Sequence, residues 1–111
     1  MTGGVPDSPE QAERMVRELR AAGRLAEAAR LTEYLGPYGV AEDFTATASL
    51  GAAVLEAYGD QLATSDPEAA DAAYRRAVQD QRSFAGGATS GGEGIARMTE
   101  ADRIDAKRRR R

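Results

Sequence analysis

The chain contains two similar phrases, Gly23-Arg-Leu-Ala-Glu-Ala-Ala-Arg-Leu-Thr-Glu-Tyr-Leu35 and Asp66-Pro-Glu-Ala-Ala-Asp-Ala-Ala-Tyr-Arg-Arg-Ala-Val78. Each phrase begins with a turn residue and continues with small residues, at the spacing of one helix face, between charged ones. Small residues on a helix face allow a second helix to approach closely. Each phrase therefore predicts one half of a packed helical hairpin, and we expect the fold to be all-α.

The composition supports a small helical domain and removes several kinds of site. The chain has 111 residues, which correspond to one domain, and only 5% of them are aromatic. No segment alternates apolar and polar residues for long enough to predict a strand. The sequence has no Cys and no His, which excludes disulfides, thiolate metal sites and the commonest general base. We therefore expect a protein that is not an enzyme and has no cofactor and no metal.

The N-terminal residues 1–7 are small and Gly-rich and have no apolar face, so we expect them to be disordered. They have neither the basic start nor the apolar core of a secretory signal peptide. The longest apolar runs of the chain fall far short of the ~20 residues that span a membrane. The expected location is therefore cytoplasmic, without membrane contact.

Helical periodicity and capping residues predict four main helices in an antiparallel arrangement of hairpins. They are expected from Pro9 to Ala22, from about Arg24 to Leu35, from about Ala41–Asp43 to Thr64, and from Pro67 to Phe84. Ser8 and Asp66 can cap two of these helices, and Gly23 can end the first in a left-handed conformation. Gly51 and Gly59 each cost about 1 kcal/mol of helix propensity relative to Ala. We expect close approach of another helix to compensate for them.

The C-terminal part begins with a Gly-rich stretch, residues 86–94, which predicts a loop. A phosphate-binding loop would need Lys and then Ser or Thr where Gly92 and Glu93 stand, so the stretch does not predict nucleotide binding. The sequence Thr99-Glu-Ala-Asp102 has the form of a capping box and predicts a short fifth helix from about Glu100 to Arg108. Residues 8–106 would then form a single helical domain.

The charge is divided unevenly along the chain. Residues 1–102 carry a net charge of −8, whereas residues 103–111 carry +5. The last five residues form a basic tail: Lys107, Arg108, Arg109, Arg110 and Arg111. Such a tail can contact nucleic-acid phosphates or an acidic protein surface, or it can simply remain solvated. No aromatic residue is interleaved with it, so base stacking is not predicted.

The two phrases resemble the second helix of tetratricopeptide repeats, which are helical hairpins with a period of about 34 residues. That pattern has a small residue, a large one four positions later and a small one three positions after that. Ala70, Tyr74 and Ala77 match all three positions, whereas in the first phrase Ala28 matches and Thr32 and Leu35 do not. The resemblance covers about residues 9–84. Ala28 and Ala70 are 42 residues apart, so the two units depart from the repeat period, and a plain bundle of four or five helices is the alternative architecture.

The resemblance implies a function in protein–protein interaction. In this family the partner lies along a concave groove lined by the first helix of each hairpin. The matching polar positions on the first and third helices are Arg17, Arg20, Glu56, Asp60 and Gln61. Two units are fewer than the roughly three that a stable repeat array needs, so self-association through an uncovered apolar edge is also expected. The alternative function is accessory nucleic-acid binding through the basic tail.

Overall fold

The protein is described by a computed structural model that covers residues 4–36, 39–43 and 47–110. The regular structure in these ranges consists of five α-helices, which confirms the all-α prediction. The helices are α1 (Pro9–Ala21), α2 (Leu25–Leu31), α3 (Leu50–Leu62), α4 (Pro67–Gly86) and α5 (Gly91–Arg109). None of the helices in these ranges is both long enough and apolar enough to cross a lipid bilayer.

Four of the helices have an N-cap residue whose side-chain oxygen accepts a hydrogen bond from a backbone N–H in the first turn. Ser8 accepts from Gln11 at 3.1 Å and Asp66 accepts from Ala69 at 3.1 Å, as the sequence predicts. Ser49 at the start of α3 and Ser90 at the start of α5 act in the same way. These two caps lie at positions where the sequence analysis did not place a helix start.

The turn between α1 and α2 is made by Gly23, which adopts a positive φ of 77° as predicted. The helix that follows is shorter than expected, because α2 ends at Leu31 and the chain continues as a 3₁₀ turn from Thr32 to Tyr34. The hydroxyl of Thr32 donates to the carbonyl of Ala29 at 2.7 Å. A buried Thr therefore occupies a position where the repeat pattern has a large apolar residue.

Each helix packs mainly on the helices before and after it in the chain, with the densest packing between α3 and α4 and between α4 and α5. The core is filled by alanines and aliphatic residues, together with one tyrosine. Its largest fully buried apolar members are Tyr74, Leu50, Leu55, Ile104, Val16 and Val54. The alanines between them keep the helices close, so the phrase around Tyr74 lies at the centre of the core.

Close approach of α4 compensates for both glycines of α3, as the sequence predicts. A Cβ atom placed on Gly59 would lie 2.7 Å from Cε1 of Tyr74, which is inside van der Waals contact. A Cβ on Gly51 would overlap the carboxylate of Asp80. Glycine at position 59 therefore allows α3 and α4 to pack at a distance that an alanine would prevent, whereas the carboxylate beside Gly51 is the end of a flexible side chain and can move.

The third helix begins later than predicted, at Leu50 rather than near residues 41–43. Residues 39–43 instead run alongside residues 47–50 and form an isolated antiparallel bridge between Ala41 and Ser49. The N–H of Leu50 donates to the carbonyl of Val40 at 2.6 Å, so backbone groups that a longer helix would use are bonded across this turn. Residues 44–46, which the sequence analysis assigned to the helix, lie outside the described residues.

The fifth helix is longer than predicted, and the loop before it is correspondingly shorter. Helix α5 has 19 residues and begins at Gly91, so the predicted Gly-rich loop at 86–94 is reduced to residues 87–90. Thr99 is not a cap but lies inside α5, where its hydroxyl donates to the carbonyl of Ile95 at 2.9 Å. The loop was predicted because glycine has a low helix propensity. The helix forms nevertheless, because tertiary contacts that no local pattern shows stabilise it.

Arg97 supplies several of those contacts. Its side chain is only 8% exposed and forms an ion pair with Glu93 one turn earlier. Its guanidinium lies 3.6 Å from the centre of the Phe84 ring, and its Nη1 donates to the Phe84 carbonyl at 2.7 Å. This buried cation fixes the first half of α5 on the end of α4.

At the N-terminus, residues 1–3 of the segment predicted to be disordered lie outside the described residues. Pro6 is buried, and the N–H of Asp7 donates to the side chain of Gln11. The part of this segment that the structure describes therefore contacts the first turn of α1.

Candidate functional site

A groove with a volume of about 370 Å³ is formed by α1, α3 and α5, together with residues of the turn before α3. Helix α3 provides its floor, because Ala52, Ala53 and Ala57 face into it from successive turns. Ala53 and Ala57 are four positions apart and therefore lie on one face of the helix, beside the buried Ala52. Ser49 caps the helix just before this segment by accepting a hydrogen bond from the N–H of Ala52 at 2.9 Å. The floor is therefore small and apolar.

Charged side chains surround this floor. From α3 they are Glu56 and Asp60, and from α5 they are Glu100 and Arg103. Arg20 of α1 and Glu42 of the turn before α3 complete the rim. Both signs of charge are thus present on one concave surface.

The rim between α3 and α5 is an ion-pair network centred on Glu56, whose side chain is 14% exposed. Arg103 binds Glu56 in a bidentate manner, with Nη1 to Oε2 at 2.9 Å and Nη2 to Oε1 at 2.6 Å. Lys107 Nζ lies 2.7 Å from Glu56 Oε2 and 3.1 Å from Asp60 Oδ1. The hydroxyl of Tyr74 donates to Asp60 at 2.5 Å, which connects the network to the core.

This network determines the ionisation of its members. Burial on its own would raise the pKa of Glu56, but the hydrogen bonds and charges of Arg103 and Lys107 outweigh burial and hold that pKa below its ordinary value. Burial would lower the pKa of Lys107, but its bonds to Glu56 and Asp60 raise it instead. Glu56, Arg103 and Lys107 are therefore charged at neutral pH, and the network fixes α5 against α3.

The opposite rim is held by two arginines of α1. Arg20 Nη1 lies 2.6 Å from Glu42 Oε1, and Arg17 Nη2 donates to the carbonyl of Ala41 at 3.2 Å. Arg17 also forms an ion pair with Glu13 at 3.0 Å. These contacts attach the turn at residues 39–43 to α1 and so determine the width of the groove at this side.

The five polar residues selected from the sequence do not all meet at one place. Arg20, Glu56 and Asp60 line the groove. Arg17 lies beside it on α1 and holds the neighbouring turn, and Gln61 is exposed on α3 outside the lining. Whether any of them contacts a partner stays a prediction.

The sequence did not predict that α5 lines the groove. Glu100, Arg103 and Ile104 line it, and Lys107 extends the same helix face. The spacing of Glu100, Arg103 and Lys107 places them along one side of a helix, and the predicted fifth helix from about Glu100 to Arg108 already contained all three.

The residues predicted to form a basic tail belong largely to the last turn of α5. Lys107, Arg108 and Arg109 lie in the helix, Arg110 caps it, and Arg111 lies outside the described residues. Arg108 Nη1 lies 3.3 Å from Asp71 of α4, and its bonds to Asp71 and Asp105 raise its pKa. Arg109 lies 3.0 Å from Asp105 and is 72% exposed. The basic end of the chain is therefore partly neutralised by the acidic body.

The groove offers a small apolar floor between charged groups, which is a surface suited to binding a polypeptide segment with polar side chains. Within the ranges that the structure covers, no cluster of three or more acidic side chains has the geometry of a metal site.

No protein-family model, no curated protein and no solved structure matches this chain.

Proposed function

We propose that this protein is a non-enzymatic interaction module that binds a segment of a partner protein in the groove formed by α1, α3 and α5. The observation that carries the proposal is that alternate helices line the groove. The first, third and fifth helices line one groove, and the helices between them do not contribute to it, apart from the buried Gln81 of α4. This is the arrangement that the resemblance to tetratricopeptide repeats implies.

The packing of the two phrases supports the same architecture. Ala70, Tyr74 and Ala77, which carry the resemblance, are at most 1% exposed. Ala28, Thr32 and Leu35 at the corresponding positions of the first unit are at most 3% exposed. In this proposal α1–α2 and α3–α4 are two hairpins, and α5 covers the second hairpin where a third unit would otherwise stack.

The charges of the rim favour a partner segment that carries both signs of charge. Glu42, Glu56 and Glu100 alternate around the groove with Arg20 and Arg103. A segment that enters the groove can exchange the Arg20–Glu42 ion pair for an intermolecular one, at a modest cost because these two side chains are 36% and 26% exposed to water. The alanine floor accepts an aliphatic side chain of the partner.

Nucleic-acid binding through the basic end has less support. Lys107 and Arg108 are engaged by Glu56, Asp60 and Asp71, which reduces the positive charge that is free to attract phosphates. Arg109 and Arg110 are the more exposed basic residues of this end.

The test is a selection of peptides from a random phage library on the immobilised full chain, followed by measurement of Kd by fluorescence anisotropy. Ala53→Phe fills the floor of the groove, and Ala72→Phe on the exposed face of α4 is the matched control. We expect the groove variant to bind selected peptides at least about tenfold more weakly, equivalent to ~1.4 kcal/mol, and the control to bind normally.

Equal binding by both variants, with folding verified by circular dichroism, would contradict the assignment of the groove. A fluorescent single-stranded oligonucleotide tests the alternative. If it binds in low salt and Arg109→Gln with Arg110→Gln abolishes that binding, while no peptide is selected, the nucleic-acid function replaces the one proposed.

A further inference from the structure

A second concave surface lies on the outer side of α4 and α5 and shares no residue with the groove. Its volume is about 580 Å³. We call it the α4–α5 patch, and its main members are Arg82, Gly86, Gly91, Ile95, Met98 and Asp102. Residues 91, 95, 98 and 102 recur at intervals of three or four, so they form a continuous stripe along α5.

The patch carries exposed apolar side chains. Of the four large apolar side chains that are exposed in the described residues, two lie here, Ile95 at 71% and Met98 at 40% exposure. The glycines beside them leave the backbone open, since a Cβ on Gly86 or Gly91 would meet no atom within 4 Å. Exposed apolar side chains in a concavity with polar edges are typical of an interaction site.

The charges of the patch indicate what covers it. Arg82 of α4 and Asp102 of α5 flank the apolar stripe, and neither forms an ion pair within the described part of the chain. Nearby charges are satisfied internally, as in the pairs Glu93–Arg97 and Glu100–Arg103. The patch therefore presents one unpaired positive charge, one unpaired negative charge and an apolar stripe between them.

We propose that the occupant is a second copy of this chain, related by a two-fold axis that crosses the apolar stripe midway between Arg82 and Asp102. A two-fold interface brings the same surface together with itself. Rotation about this axis exchanges the positions of the two charges, so Arg82 of one protomer faces Asp102 of its partner. Ile95 and Met98 then pack against the same side chains of the second copy.

Self-association by this route is independent of peptide binding in the groove. A surface with a single charge of each sign gives no net attraction to a uniformly charged membrane or nucleic acid, whereas it is complementary to itself. The interface is small, so we expect a reversible dimer that forms as the protein concentration rises.

Sedimentation velocity of the full chain over a range of concentrations tests the proposal. We expect the sedimentation coefficient to rise from that of a monomer toward that of a dimer. Ile95→Asp, at an exposed position that the fold does not need, should keep the chain monomeric at every concentration. Val5→Asp, at an exposed apolar residue outside the patch, is the control and should dimerise normally.

Charge exchange distinguishes this two-fold arrangement from a merely apolar contact. Asp102→Arg alone places two positive charges opposite each other and should weaken the dimer. Adding Arg82→Asp should restore it, because the exchanged charges are again complementary across the axis. Three results would each overturn the proposal. The wild-type chain stays monomeric at the highest concentration, or the dimer survives Ile95→Asp. The third is that the double variant dimerises as weakly as the single variant Asp102→Arg.

Discussion

Gln81 and Ser49 are joined by a hydrogen bond of 2.9 Å, in which the backbone N–H of Ser49, just before α3, donates to Oε1 of Gln81 on α4. Both residues are completely buried. The Nε2 group of Gln81 donates to the carbonyls of Thr47 at 2.7 Å and Arg97 at 3.2 Å. One amide therefore connects the turn before α3 with α4 and α5, and it lies at the inner end of the groove.

Replacing Gln81 with Leu should destabilise the protein by about 2–4 kcal/mol, because buried backbone groups that lose their partner cost ~1–3 kcal/mol each. Gln79→Leu, two residues earlier on the exposed face of α4, is the control and should change stability little. Urea unfolding followed by circular dichroism gives the free energy of unfolding. A loss of less than about 1 kcal/mol in Gln81→Leu would show that water replaces these hydrogen bonds.

Gly59→Ala should destabilise the protein even though alanine is the better helix former. The gain in helix propensity is about 1 kcal/mol. The added Cβ would lie 2.7 Å from the ring of Tyr74, and overpacking of this kind costs ~1–3 kcal/mol. The net loss is read from the midpoint of thermal unfolding.

Gly92→Ala is the matched control for this prediction. Gly92 also lies in a helix, but a Cβ there would meet no atom within 4 Å. This variant should gain up to about 1 kcal/mol. The explanation of Gly59 by contact with Tyr74 fails if both variants gain stability.

Glu56→Gln should remove part of the pH dependence of stability. The pKa of Glu56 is lowered from 4.5 in the folded protein, so the unfolded state binds more protons between the two values and stability rises with pH there. The contribution of Glu56 is fully present above about pH 4.5 and is lost as pH falls through the folded pKa. The variant should lose about 1–3 kcal/mol at pH 7 through its bonds to Arg103 and Lys107, and its stability should vary less below pH 4.5.

Urea unfolding at a series of pH values measures both effects. Glu33→Gln removes an exposed carboxylate that has no ion pair in the described part of the chain, and it serves as the control. Parallel stability curves for Glu56→Gln and the unaltered protein below pH 4.5 would be incompatible with a lowered pKa of Glu56.

The sequence predicted those parts of the fold that depend on local signals. Ser8 and Asp66 are caps because their oxygen atoms reach N–H groups three residues away, and Gly23 ends α1 because a left-handed residue costs glycine nothing. Gly59 inside an apolar helix also indicated a close neighbour. These features are determined within a few residues of the chain.

The remainder depends on contacts between distant residues, which no local pattern contains. Helix α5 forms through its glycines because Arg97 is buried on Phe84 and because Arg103 binds Glu56, which lies 47 positions earlier. The late start of α3 depends on backbone bonds to residues 40 and 42. For the same reason the sequence predicted Arg20, Glu56 and Asp60 for the site but not the α5 residues opposite them.

The packing of each helix mainly on its neighbours in the chain also has a consequence for local unfolding. Chains whose contacts are close in sequence fold quickly, and their parts can unfold separately. Helices α3, α4 and α5 hold most of the buried side chains and the Gln81 bonds, whereas α1 and α2 contact the rest through fewer residues. We therefore expect the two N-terminal helices to be the unit of lowest local stability, and their detachment would open one wall of the groove while the other two remain in place.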